Sequence, residues 1–179
     1  MSWLKRANPF ARPGEPPPPE IASGRDEPLQ IGREPVGAAT GRGVDLVFVI
    51  DTTGSMSDKI ESLLATCSRF VEDFNALRLN HRIAIVSFGD LRVAGDKIQN
   101  TAFTSSVAMT QKSLRHIPRN SGGGNEGESS LEAVERALSL PFRPGAVKVL
   151  VLITDEPADQ HHLRADDMLG RLAEREMLV

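Results

Sequence analysis

A single cysteine among 179 residues leaves no partner for an intrachain disulfide, so nothing in the chain asks for an oxidising compartment. That residue, Cys67, falls on the apolar face of a helix-periodic stretch and reads as a buried core thiol, not a reactive one. Basic charge is scarce as well. The formal net charge is −3, the pI is near 5.8 and no patch of Lys and Arg stands out, which removes the electrostatic footing for nucleic-acid binding. No apolar run approaches the ~20 residues that span a bilayer. Met1 to Phe10 carries two cations but lacks the apolar core of a secretory leader. The expectation is a soluble cytoplasmic protein with neither nucleic acid nor membrane as partner. Two enzyme signatures are missing too. Ser55 lies in Thr-Gly-Ser-Met-Ser, which is not a nucleophile elbow. The later glycine loop lacks Gly-Lys-Ser/Thr and does not directly follow a strand, against a nucleotide site.

What is present divides in two. Eight of the twelve prolines precede Val36, including the run Pro16 to Pro19, and apolar residues there are isolated. Residues 1–42 therefore read as a disordered, proline-rich tail that cannot bury enough surface to offset its ordering entropy. Trp3, Leu4 and Phe10 beside Lys5 and Arg6 read as a frayed end in preference to a docking motif. Residues 43–179 form one domain. Val44 to Ile50 and Val147 to Ile153 are nearly continuous apolar runs, the mark of strands buried on both faces in a parallel sheet. Ile60, Leu63, Leu64, Cys67, Phe70, Val71, Phe74 and Leu77 have helical spacing, and Ile83 to Phe88 is a second strand, giving a βαβ unit. A weaker strand near Ile98 to Phe103 follows a turn and is predicted antiparallel on the sheet edge. Ser105 or Ser106 caps a short helix that Pro118 ends; a helix carrying Leu131, Val134, Ala137 and Leu138 stops at Pro141; a last helix runs from Leu163 to Glu174. The fold expected is α/β, Rossmann-like and doubly wound, a mostly parallel sheet with one antiparallel edge strand flanked by helices. A further apolar strand should begin at Glu176-Met177-Leu178-Val179.

Asp51, Thr53 and Ser55 sit on the turn at the carboxyl end of the first strand, where open α/β sheets bind their ligands. A carboxylate with alternate hydroxyls offers only hard oxygens, the donors a small divalent cation such as Mg²⁺ takes. If the two long strands are neighbours, Asp155 joins this group. Two strand-end aspartates side by side repel, and each is costly to bury. A cation between them removes both difficulties, whereas helix capping accounts for one aspartate but not for the pair with its hydroxyls. Among the histidines, His81 and His116 read as surface residues, and His161 and His162 fall near the rim of this group without a nucleophile at a recognised spacing.

Asp51-Thr52-Thr53-Gly54-Ser55-Met56 resembles the metal-ion-dependent adhesion site (MIDAS) motif of von Willebrand factor A domains, Asp-x-Ser/Thr-x-Ser. Phe88-Gly89-Asp90, Ala102-Phe103-Thr104-Ser105, Gly122-Gly123-Gly124-Asn125 and Leu152-Ile153-Thr154-Asp155 follow in that family's order, so the resemblance covers about Gly43 to Val179. It implies a bacterial-type, non-enzymatic protein-binding module. In such a module Thr53 and Ser55 ligate Mg²⁺ or Mn²⁺ directly, Asp51 and Asp155 act mostly through water, and a partner protein supplies an Asp or Glu carboxylate. The glycine loop lacks the family's threonine. Asn125 and Glu126 are candidates to meet the cation in its place, directly or through water, while Glu128, three residues after Asn125, has the spacing of a helix-capping box, as do Ser55 and Asp58. The family's sheet also has two strands beyond the one ending at Asp155. The resemblance thus implies a domain incomplete at its C-terminus, or a partner covering the Val147 to Ile153 edge, which would otherwise invite aggregation. Two alternatives stand beside this reading. One is a Mg²⁺-dependent phosphohydrolase using Asp51, although phosphatases of the haloacid dehalogenase type want an aspartate where Thr53 stands. The other is a metal-free structural module of the same fold.

Overall fold

A computed structural model describes residues 42–122, 127–159 and 162–179. The proline-rich segment with Trp3, Leu4 and Phe10, the loop residues Asn125 and Glu126, and His161 lie outside the described residues. The elements run β1 Val44–Asp51, a 3₁₀ turn Gly54–Met56, α1 Ile60–Ala76, β2 His81–Phe88, β3 Gln99–Asn100, α2 Val107–Arg115, α3 Ser130–Leu138, β4 Val147–Ile153, α4 Ala165–Glu174 and β5 Met177–Leu178. They build a five-stranded sheet of order β3-β2-β1-β4-β5. β1 pairs in parallel with β2 and β4, β4 in parallel with β5, and only β3 is antiparallel, on the edge of β2.

β1 is central, and all eight of its residues are buried. Its alternation sorts the two layers. Leu46, Phe48 and Ile50 point to the side of α1 and α2 and pack with Ile60, Leu64, Cys67, Val71 and Leu114. Val47 and Val49 point to the side of α3 and α4 and pack with Val134, Ala137, Met168 and Leu172. A strand covered on both sides must be apolar at consecutive positions, which is why its sequence shows no polar alternation. Cys67 is 4% exposed, as expected of a core thiol, and burial pushes its pKa up. Leu77, placed on an apolar helix face by spacing, is instead exposed at 62%.

Four local expectations change. The capping box at Ser55 does not form: the chain makes a 3₁₀ turn there, and α1 starts only at Ile60 with Lys59 as its N-cap. Glu128 is not a capping partner either, because the N-cap of α3 is Ser129. The Glu128 backbone instead bridges the loop after β4, donating to Pro157 O at 3.0 Å and accepting from Asp159 N at 2.9 Å. His81 is buried, not on the surface. Its ring centre lies 5.1 Å from that of Phe74 with the planes tilted by 60°, and its Nδ1 is 3.0 Å from Leu79 O. The edge strand β3 is shorter than the spacing suggested, and Ser106 is the residue that caps α2, accepting from Met109 N. At the other edge, β5 begins where a new strand was expected and pairs with Lys148 and Val149.

Candidate functional site

Because β1 and β4 are adjacent and in register from Val44↔Val147 to Ile50↔Ile153, their carboxyl ends deliver Asp51 and Asp155 to one place. The four residues singled out from sequence form one chain of contacts. Asp51 Oδ1 accepts from Thr53 N at 2.9 Å and from Thr53 Oγ1 at 2.6 Å. Thr53 Oγ1 lies 3.1 Å from Ser55 Oγ, and Ser55 Oγ donates to Asp155 Oδ1 at 3.0 Å. Asp51 is fully buried, and its second oxygen accepts from Thr154 Oγ1 at 2.8 Å. The Lys59 ammonium reaches Asp155 Oδ2 at 2.7 Å. That bond is the main reason the Asp155 carboxyl is held below its usual range, with Ser55 adding to it against the cost of burial.

Thr53 Oγ1 lies 2.6 Å from Asp51 Oδ1, Ser55 Oγ lies 3.0 Å from Asp155 Oδ1, and the two hydroxyl oxygens are 3.1 Å apart, in a contact where either can donate. Two hydroxyl oxygens thus stand side by side between two carboxylates, all of them hard donors.

The third loop is tied to the first by groups that motif reading did not single out. Thr52 Oγ1 donates to Phe88 O at 3.1 Å and accepts from Asn120 Nδ2 at 2.9 Å, while Asn120 N donates to Thr52 O at 2.9 Å. Asp96 gathers three backbone N–H groups: Ser121 N at 2.8 Å, Gly122 N at 2.9 Å and Asp90 N at 3.2 Å. Gly54 N donates to Ser121 O at 3.1 Å, and a Cβ on Gly54 would stand 2.9 Å from that carbonyl, so the close approach requires glycine. A cleft of about 260 Å³ opens beside the turn, lined by Thr52, Thr53, Ser57, Ile60, Arg119 and Asn120.

Behind the turn the interior is acidic. Asp90 is fully buried, with Oδ1 accepting from Arg92 N at 2.9 Å and Oδ2 without a partner among the described residues. Glu128 is 4% exposed and its Oε2 also lacks a partner. Burial, followed by the charges of Asp51, Asp90, Asp96 and Glu156, raises its pKa to about 7.

The model of the von Willebrand factor type A domain matches residues 45–175. The chain belongs to this family. Its relative in Dictyostelium discoideum, the alpha-protein kinase vwkA, is 30% identical over 135 residues, covering 71% of this chain and 21% of the relative. The chain thus spans about a fifth of that protein's length. Among solved structures, proximal thread matrix protein 1 of the mussel byssus superposes with a TM-score of 0.57 at 18% identity, covering 76% of this chain and 34% of that one. The pilus adhesin SpaC of Lactobacillus rhamnosus GG, in its open conformation, gives 0.52 at 19%, covering 64% and 15%. At these identities the two structures support the fold alone. Within the von Willebrand factor A fold seen here, Asp51, Thr53, Ser55 and Asp155 occupy the carboxyl edge of the central strands. No helix among the described residues is long and apolar enough to cross a membrane.

Proposed function

We propose that this von Willebrand factor A domain is a divalent-cation-dependent protein-binding module. Thr53 and Ser55 would hold Mg²⁺ or Mn²⁺, with Asp51 and Asp155 in support. The observation that carries the reading is the convergence of two hydroxyl oxygens, 3.1 Å apart, between the carboxylates of Asp51 and Asp155. All the donors are hard oxygens, the set that suits Mg²⁺. When bound, such a cation offers a remaining coordination position to an Asp or Glu of a partner protein. The chain's own part is to fix the ligands on a rigid strand end and to present the neighbouring cleft as the partner's footing. Asn125 and Glu126 remain proposed members of the third loop. The β4 edge beyond Val149, where Leu152 is 37% exposed, is a proposed second contact for a partner. A reducing compartment such as the cytoplasm suits the buried, unpaired Cys67.

The phosphohydrolase alternative finds less support. A nucleophilic aspartate needs a free oxygen facing its substrate. Asp51 is fully buried and both of its oxygens accept hydrogen bonds. The metal-free reading has one observation in its favour, since the Lys59 ammonium already balances Asp155. Calorimetric titration with Mg²⁺ and Mn²⁺ decides between the two. Binding to the native chain that Asp51→Ala or Ser55→Ala removes is the expected result; no heat from the native chain sinks the metal reading.

A further inference from the structure

We infer that the groove between the edge strand β3 and helix α2 is a binding site for a small, mostly apolar organic carboxylate. The groove has a volume of about 440 Å³ and opens on the α1 and α2 side of the sheet. None of its lining residues is a candidate cation ligand, so this reading does not rest on the metal site. Its walls are mainly apolar. Ile85 and Ile117 belong to the core, while Pro118 and Met109 are exposed.

The observation that points to a ligand is Ser87. Alternation along β2 puts it on the same face as Ile83 and Ile85, and its partner on β1 is Ile50. It is 3% exposed and lines the groove, yet its hydroxyl makes no hydrogen bond among the described residues. A buried hydroxyl without a partner is destabilising, and an apolar side chain would serve the core better here. Ser87 suits a polar atom that arrives with a ligand.

Charge selects the kind of ligand. No Asp or Glu lines the groove, in a chain whose net charge is −3. Lys112 stands exposed at its rim, with no carboxylate in ion-pair reach among the described residues. His116 lines the groove as well, and its Nδ1 donates to Lys112 O at 2.8 Å, which leaves Nε2 for a ligand. One ammonium, with no arginine among the lining residues, suits a singly charged carboxylate better than a phosphate. An anion at the rim, an apolar body along Ile85, Ile117 and Pro118, and an oxygen bonded to Ser87 together satisfy these groups. Apolar walls with a few placed polar atoms are the usual form of a small-molecule site.

The probe is 4-hydroxybenzoate, which carries an anion, a ring and a hydroxyl at the far end. It is titrated into the full isotopically labelled chain in chelator and followed by amide NMR shifts. Saturable shifts confined to β2, β3 and α2 around Ser87 and Lys112 are expected. Benzoate, which lacks the hydroxyl, should bind the native chain about fivefold more weakly, the worth of one neutral hydrogen bond. Ser87→Ala should erase that difference by weakening 4-hydroxybenzoate alone, while melting no lower than the native chain without ligand. A purely structural serine would not single out the hydroxylated probe. Lys112→Met should weaken both carboxylates about threefold at low salt, the scale of an exposed ion pair, and leave phenol unaffected. No shifts, shifts that do not saturate, or shifts scattered over the surface overturn the site. Equal affinity of the native chain for the two carboxylates, a comparison that needs no variant, overturns the assignment of Ser87. A failed Mn²⁺ titration removes the metal reading and leaves this one standing.

Discussion

The Glu128 carboxyl is buried beside other acids, and its pKa of about 7 makes it a source of pH dependence. Its ordinary value is near 4.5, so between about 4.5 and 7 the unfolded chain loses this proton while the folded chain keeps it. Stability is then complete below about pH 4.5 and is lost as pH rises through 7. The full shift corresponds to roughly 3 kcal/mol. In chelator, Glu128→Gln should abolish this fall, matching the native chain near pH 4.5 and exceeding it at pH 8 in urea denaturation. Lys59 poses the opposite question at the rim. Its ammonium sits on Asp155 where a cation's charge is wanted, and it is exposed enough to be displaced. Lys59→Met should tighten Mg²⁺ binding roughly fivefold, the scale of one unit charge a few ångströms away in water. The gain should fade in high salt. Tighter binding that ignores salt would mean that Lys59 acts through shape instead of charge.

Between residues and sheet, the loops decide whether the site exists. Gly122 has φ +76°, and a Cβ there would stand 3.0 Å from Thr53 Cβ and 3.2 Å from Glu128 Oε1, so Gly122→Ala meets backbone strain and a crowded Cβ together. A loss of about 2 kcal/mol is expected in chemical denaturation. The same site loss should appear in Mn²⁺ titration, since Thr53 is the neighbour pushed. How far such features could be read in advance follows from their range. The sheet strands were legible because β1 and β4 are apolar at consecutive positions, and Asp51, Thr53, Ser55 and Asp155 because they stand at strand ends. Capping boxes at Ser55 and Asn125 were misread for a physical reason: their spacing is local, whereas Ser55 is turned toward Asp155, one hundred residues away, and Glu128 is drawn to Ala158. Asp96 collecting Ser121, Gly122 and Asp90 amides has no sequence signature at all. His81 was placed outside because it opens a strand, but α1 carries Phe74 over it.

Across the whole domain, the acidic site at one end of β1 is matched by an ionic lock at the other. Asp45 is fully buried and accepts from Arg82 Nε at 3.0 Å, Arg82 Nη2 at 2.6 Å, Arg143 N at 2.7 Å and Arg143 Nε at 2.9 Å. Burial alone would push its pKa up, but these bonds more than offset it and hold the carboxyl below the usual range. Arg143 also reaches Val44 O and Asn80, and Arg82 stacks 4.7 Å from the centre of Phe103, so the lock joins β1, β2 and the connection into β4. Removing the carboxylate leaves two guanidiniums, each about a quarter exposed, facing one another without their anion. Asp45→Ala should therefore cost about 3 kcal/mol, the scale of breaking a buried pair from one side. Yet Asp45 and Asp51 stand six positions apart along the strand, about 20 Å at ~3.3 Å per step, well beyond a Debye length in physiological salt. If the two ends are independent, the variant that remains folded will bind Mn²⁺ within about twofold of the native chain. A large loss of affinity at full folding would instead show that strain at the lock is transmitted along β1 to the ligands, and the strand would have to be treated as part of the site.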